Sequence, residues 1–360
     1  MSIGWNFDNT YRRLPEEFYS VLDPVPVKKP EWVLLNSRLA KTLGLHFSKA
    51  EPSLLAAIFT GNRLPEGAEP LAQAYAGHQF GHFTMLGDGR AIVIGEQITP
   101  DGKRYDLQLK GSGRTPYSRS GDGRATLYSM LREYLISEAL YHLGVPASGS
   151  LAVAETGEPV SREIVHPGAV LTRVASSHIR IGTFEYASRF LSREKLCDFL
   201  NYTISRHYPD LNKTGNTALN FLKRVAEKHQ NLVIEWMRTG FIHGVLNTDN
   251  MSICGETIDF GPCAFMNVFH TSTAFSSVDT HRRYSFGNQP GIIQWNLSVL
   301  AETMLPFIDQ DEEKAREAAE EVIESFKPRF MEAWYRMMGS KLGFKETGKQ
   351  EKRLTDRILS

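Results

Sequence analysis

Residues 243–261 read His-Gly-Val-Leu-Asn-Thr-Asp-Asn-Met-Ser-Ile-Cys-Gly-Glu-Thr-Ile-Asp-Phe-Gly, the stretch of the chain best equipped for chemistry. Residues 251–253 and 257–258 read as two short strands, and Cys254-Gly255-Glu256 as the turn between them. Such a hairpin would bring the neutral Asn250 and the carboxylate of Asp259 together. That pair suits a hard cation whose other ligands are water and phosphate oxygens. A proton acceptor is available beside it in Asp249.

The spacing matches phosphotransferases with an H-x-D-x-x-x-x-N loop followed by a DFG turn. There the Asp takes the acceptor's proton, and the Asn and the DFG Asp hold the metal. His243, Asn250 and Asp259-Phe260-Gly261 fill the corresponding places, but the proton acceptor's place falls on Val245. A valine cannot accept a proton. The chain is therefore either a non-catalytic pseudokinase or an enzyme of related chemistry with a different base, for which Asp249 is the nearest candidate.

Upstream lie groups that could grip a nucleotide. Gly-Asp-Gly-Arg-Ala occurs twice, at 87–91 and 121–125. Each copy reads either as an ordinary Asp-Gly turn or as a loop whose backbone N–H groups cradle phosphate. Lys110 alternates with Leu109 and Leu107 and shares a face with Gln108 and Asp106. A strand lysine at a phosphate site needs a helix glutamate to hold it, and Glu133 and Glu138 are both within reach. Arg173 and Arg180 could neutralise outer phosphates or serve as structural ion pairs. His78 and His82 are spaced i,i+4, but the glycines around them spoil a helix, and packing is the expected role rather than zinc.

The elements that must position these groups divide the chain in two. Strands are expected at 90–97 and 105–110 around the turn Thr99-Pro100-Asp101-Gly102, and at 150–154 and 169–174. A helix is expected at 126–143, with Leu127, Met130, Leu131, Tyr134 and Leu135 on its buried face. Shorter amphipathic stretches fall at 37–45 and 53–59. The second half reads as helical at 193–206, 217–239, 293–306 and 312–338, the last broken at Pro328. This predicts an α+β, bilobal, protein-kinase-like fold: a β-rich N-lobe with one long helix over 1–175, a helical C-lobe over 176–345, and a polar tail over 346–360.

With 41 basic and 41 acidic side chains, no net field draws the protein to nucleic acid or an anionic membrane. No long apolar run or signal-peptide core is present. Cys197, Cys254 and Cys263 show no paired spacing, which points to a reducing compartment, the cytoplasm by default.

The motifs AGHQFGHF, LGDGRA, LQLKGSGRTPYSRSGDGRA, RVASSHIRIGTFE, HGVLNTDNMS and TIDFGP together resemble the selenoprotein O family, the bacterial YdiU group, from about Trp5 to about residue 340. The resemblance implies a kinase-like fold that transfers AMP from ATP to Ser, Thr or Tyr hydroxyls of proteins. The nucleotide is bound reversed, with the α-phosphorus facing the acceptor. It further implies that Asp249 accepts the proton and that Asn250 and Asp259 hold Mg²⁺ or Mn²⁺. Gly87, Gly89, Arg90, Lys110, Asp122, Gly123, Arg173 and Arg180 would bind the nucleotide, with Glu133 as the acidic partner of Lys110. Members usually continue further, and many end in a redox-active Cys or selenocysteine motif. The stretch from about Lys341 does not resemble that continuation, so redox regulation through it is not expected. UMP transfer with manganese, a pseudokinase that only binds ATP, and small-molecule phosphotransfer are the alternatives; the last lacks its base.

Overall fold

A computed structural model describes residues 3–213 and 215–359. Its main sheet is antiparallel and built from β1 (Tyr19–Val21), β2 (Glu31–Leu35), β3 (Leu71–Gln73), β6 (Ala91–Ile98), β7 (Arg104–Lys110), β9 (Gly149–Ser161) and β10 (Val165–Ala175). They run in the order β1-β3-β6-β7-β10-β9-β2, with the two-residue β8 (Ala125–Thr126) on β10. Separate from it, β4 (Ala76–Gln79) and β5 (His82–Met85) form a hairpin, and β11 (Phe241–Ile242) pairs with β12 (Ala264–Phe265).

The expected β6–β7 hairpin is present, closed by Thr99 N–H donating to the Lys103 carbonyl at 2.8 Å. Period-2 alternation sorts its side chains. Ile94, Leu107 and Leu109, with Val170 and Val174 of β10, pack against α1 (Ser37–Thr42) and α2 (Pro52–Thr60). The opposite face carries Gln108 and Lys110. Register sets Gln108 directly across from Arg173 and Lys110 across from Leu171, so the polar groups of two strands gather on one side of the sheet.

Helix α3 (Leu127–His142) crosses that side, capped by the Thr126 side chain accepting from Ser129 N–H. Its buried line is Met130, Glu133, Ser137 and Leu140, whereas Leu135 is 66% exposed. The inward face is thus turned from the expected apolar stripe. The helix lies over a polar cleft and presents Glu133 to it.

The remaining helices are α4 (Ile181–Phe190), α5 (Arg193–His207), α6 (Thr217–Thr239), α7 (Gln289–Ile308), α8 (Glu312–Glu324), α9 (Phe326–Lys341) and α10 (Lys349–Leu359). Phe184, Phe199, Phe221, Trp236, Leu297 and Met304 belong to their common core. A β-rich part with one crossing helix, followed by an α-rich part, is the expected bilobal kinase-like arrangement. The break between α8 and α9 falls at Ser325 rather than Pro328. Pro328 sits in the first turn of α9, where its missing N–H has no intrahelical partner to lose. The stretch expected as a polar tail forms α10, which buries only Thr355 and is tied to α9 by Tyr335 and Asp356. The expected 251–258 hairpin shrinks to a single Met251–Thr257 bridge, because Ser252 pairs with Arg180 and Thr257 with Ala147 instead. No helix among the described residues is long and apolar enough to cross a membrane.

Candidate functional site

The sheet's polar face, α3 and the 243–261 loop enclose a cleft of ≈ 660 Å³. Lys110 Nζ lies 2.7 Å from Glu133 Oε2 and 2.8 Å from Asp259 Oδ1. Of the two glutamates the sequence offered, Glu133 is the partner; Glu138 pairs with Arg38 at 2.9 Å. Arg173 Nη1 reaches Asp259 Oδ1 at 2.7 Å, and Arg180 Nη2 lies 3.6 Å from Asp259 Oδ2. Both arginines are buried. Asp259 therefore sits among three cations. Burial opposes its charge, but Arg173, then Lys110 and Arg180, outweigh that and hold its carboxyl well below the usual range. Its φ of 61° is uncommon for a non-glycine residue, a conformation found more often at functional turns. Helix α3 grips the same turn, as Arg132 donates to the Gly261 carbonyl at 3.3 Å and to the carbonyl of Cys263.

The two Gly-Asp-Gly-Arg copies meet at one end of the cleft. The first, holding Gly87, Gly89 and Arg90, is stitched to the loop at 111–124 by Thr115 Oγ1 donating to the Asp88 carbonyl at 2.7 Å, and by Ser118 to Gly89. Gly123 in the second has φ +70°, and an added Cβ would fall 2.1 Å from Gly113, so only glycine fits. The two aspartates behave differently. Asp122 is half-exposed and bridged to Arg162 at 2.8 Å, whereas Asp88 is buried. The second copy leads through β8 instead of opening α3 directly.

At the other end, His243 is buried and anchors the loop, with Nε2 2.8 Å from the Ile258 carbonyl. Asn250 Nδ2 donates to the Val245 carbonyl at 3.0 Å. Position 245 thus contributes its backbone, and the amide oxygen Oδ1 is the end of Asn250 left for a ligand. Asp249 is 7% exposed, and burial pushes its carboxyl up to about 7, against the pull of Arg180. Gln79 Nε2 lies 3.4 Å from its Oδ2, while Oδ1 has no hydrogen-bond partner among the described residues.

The β4–β5 hairpin closes this end. His78 N–H donates to Thr248 Oγ1 at 2.7 Å, and Phe80 N–H to Tyr284 Oη at 3.0 Å. Tyr284 in turn donates to Asn247 Oδ1 at 2.6 Å. His78 packs edge-on against Trp295 and also pairs with Glu185 at 2.5 Å. His82 is exposed on the paired strand.

The twelve residues that the family resemblance assigns to base, nucleotide and metal roles all line this one cleft. Sequence reasoning missed Tyr75, whose ring lies 4.3 Å from the Arg180 guanidinium, and also Gln79, Asp88 and Gln108. Three of these stood inside a motif already noticed: Asp88 between the two glycines, Gln108 on the face of Lys110, and Gln79 between the two histidines; Tyr75 lies just before one.

A family model described as protein adenylyltransferase SelO matches residues 2–360. A relative from Anoxybacillus flavithermus, described as protein nucleotidyltransferase YdiU, is 55% identical over 359 residues, 100% of this chain and 75% of the relative. One of the same description from Nitrosococcus oceani is 57% identical over 341 residues, 95% of this chain and 69% of that one. The matches extend past residue 341, so the last stretch resembles the family after all. The crystal structure of a Toxoplasma gondii rhoptry antigen kinase domain matches 72% of this chain and 87% of its own at 12% identity, with a TM-score of 0.25. The kinase-like description rests on the topology above, not on that likeness.

Proposed function

The chain belongs to the SelO family of protein adenylyltransferases, and from this we propose that it transfers AMP from ATP to Ser, Thr or Tyr hydroxyls of proteins. The observation that carries the reading is the pairing of Val245, which offers backbone groups but no side-chain base, with a buried Asp249 one residue before Asn250. A kinase base is missing, and another carboxylate stands a few residues along the same loop. A nucleotide bound in reverse, with its α-phosphorus toward Asp249, reconciles the two.

Asp249 accepts the hydroxyl proton as the acceptor oxygen bonds to the α-phosphorus and the bond to pyrophosphate breaks. A carboxyl near neutrality suits that task, a contribution typically ~10²–10⁴-fold. Lys110, Arg173 and Arg180 offset charge on the departing pyrophosphate, and Glu133 keeps Lys110 aimed. Asn250 Oδ1 and the Asp259 carboxylate form an all-oxygen donor pair that fits Mg²⁺, with Mn²⁺ as the alternative. Bound there, the ion would neutralise phosphate charge as a Lewis acid. The residues of 1–175, joined by Arg180, supply the nucleotide grip, and those of 176–345 the base and metal ligands.

The test is incubation with Mg²⁺ and ATP labelled at either the α- or the γ-phosphate, with a protein acceptor and Asp259→Ala alongside. Label from the α-position alone supports the reading, and label from γ alone refutes it. Parallel α-labelled UTP with Mn²⁺ decides between AMP and UMP.

A further inference from the structure

The two arginines at the centre of the cleft are held from behind by groups to which the proposed reaction assigns no part. Arg173 Nε and Nη2 both donate to Gln108 Oε1, at 3.1 and 2.5 Å, leaving Nη1 for Asp259. Gln108 Nε2 donates to Asp88 Oδ2 at 3.1 Å, and the other oxygen of Asp88 lies 3.7 Å from Arg180 Nη1. Arg180 completes the circuit at Asp259. The five side chains therefore form a closed ring, in which Asp259 touches both arginines from the cleft and the Gln108–Asp88 pair touches both from the sheet.

The chemistry of the ring dictates its members. An arginine can only donate and a carboxylate can only accept. A side chain bridging Arg173 to Asp88 must accept at one end and donate at the other without a net charge. Glutamine does this; glutamate would repel Asp88, and lysine would repel Arg173. Asp88 in turn faces only donors: Gln73 N–H at 3.1 Å, Gln108 and Arg180. Asp88 is 2% exposed and Gln108 fully buried, and their polar atoms are engaged by Gln73, Arg173, Arg180 and each other. The Tyr75 ring and the His178 carbonyl, 3.1 Å from Arg180 Nη1, finish the cradle of Arg180.

We propose that Asp88 and Gln108 are positioning residues that fix Arg173 and Arg180 for the phosphates beyond the reacting phosphorus, so that this part of the cleft selects polyphosphate nucleotides over monophosphates. The inference rests on the nucleotide-binding reading above. Asp259 faces the arginines from the cleft side, where phosphates would compete with it. Gln108 meets Arg173 from the sheet side, away from that competition, so its contacts would persist when a nucleotide binds. A guanidinium fixed in this way loses less freedom on meeting a phosphate than one free to swing.

Calorimetric titration with ATP and with AMP, each with Mg²⁺, tests this on the unmodified protein, Gln108→Met and Asp88→Asn. Thermal denaturation is recorded for each. Gln108→Met keeps the bulk and removes both hydrogen bonds. Asp88→Asn sets an amide donor among donors. ATP affinity should fall on the order of 10- to 100-fold in both variants, with AMP affinity within about twofold of the unmodified protein. A purely structural role would lower both affinities together, or only the melting temperature. Either result overturns the proposal, as does ATP affinity within about twofold of the starting value. Should Gln108→Met not fold, Gln108→Ala replaces it, since truncation removes the contacts without overpacking. Absence of ATP binding by the unmodified protein would overturn this inference and the proposed function together. ATP binding without α-label transfer would strike the transfer reading alone.

Discussion

Gly77 offers a way to move the proposed base without altering it. The residue lies in β4 with the Asp249 side chain against it. A Cβ added there would fall 2.5 Å from Asp249 Oδ1, 2.8 Å from its Cβ and 2.9 Å from its Cγ. The backbone at Gly77 does not have a positive φ, so alanine itself is unstrained and the whole effect is the clash. Asp249 cannot retreat freely, because its Cα already lies close to Gly182 of α4. A shift of about 0.9 Å is needed before Oδ1 reaches ordinary contact distance. Misplacement of a reacting group by about 1 Å costs roughly 10²-fold in rate, or about 2.7 kcal/mol of barrier. Gly77→Ala should therefore lower kcat for α-label transfer about 100-fold and leave the Kd for ATP within about twofold. The assay is steady-state transfer beside calorimetric ATP binding, with thermal denaturation to confirm folding. An unchanged kcat would refute the placement of the base at Asp249. Loss of ATP affinity in step with kcat would show that the hairpin serves the nucleotide instead.

Asp259→Ala is expected to abolish transfer and weaken Mg²⁺-dependent ATP binding, measured by titration with and without the ion; undiminished transfer would remove Asp259 from the metal site. Asp249→Ala should slow transfer by ~10²–10⁴-fold while ATP binding stays intact, and an equal loss of binding would argue against a base role. Burial holds the imidazole of His178 down to about 4, with the Asp106 carboxylate 3.2 Å away opposing that shift. Its folded pKa is below the unfolded one, so the unfolded state takes up more protons between about 6.5 and 4, and stability is lost as pH falls through that window. Relative to His178→Asn, the unmodified protein should lose about 1.6 kcal/mol between pH 6.5 and 5 by urea denaturation; parallel pH profiles would contradict this.

Local signals carried much of this structure. Alternation at 105–110 put Lys110 on the face of Gln108 and Asp106, and the turn at 99–102 fixed the hairpin that holds it. Helix α6 kept its expected bounds because an Asn216 cap and a Gly240 stop mark its ends. Helix α4 was illegible for a physical reason: Ile181 to Ala187 are all buried, polar Thr183 and Glu185 included, so residue type does not report which positions face inward. The β4–β5 hairpin was read only through its histidines, since its partners, Thr248, Asn247 and Tyr284, are about 170 to 200 residues away. The 251–258 strands had the right composition, but their edges were taken by Arg180 and Ala147, which no local pattern announces. Within the site, the sequence marked the base, the metal pair and the phosphate-facing cations, but not Tyr75 or Gln79. It did not mark Gln108, whose role follows from the register of β7 against β10, or Asp88, whose partners Gln73, Gln108 and Arg180 are distant in the chain.

The grip of α3 on both halves of the cleft has a consequence for how the site comes apart. Arg132 holds the turn at Gly261 and Cys263, and the very next residue holds Lys110. Neighbouring side chains on a helix diverge by about 100°, so both contacts are made at only one rotational setting and one height of the helix. A small roll or slide of α3 would release the strand lysine and the metal turn together. The assembled cleft is thus a single cooperative state, and amide exchange in β7 and around Gly261 should rise and fall in step.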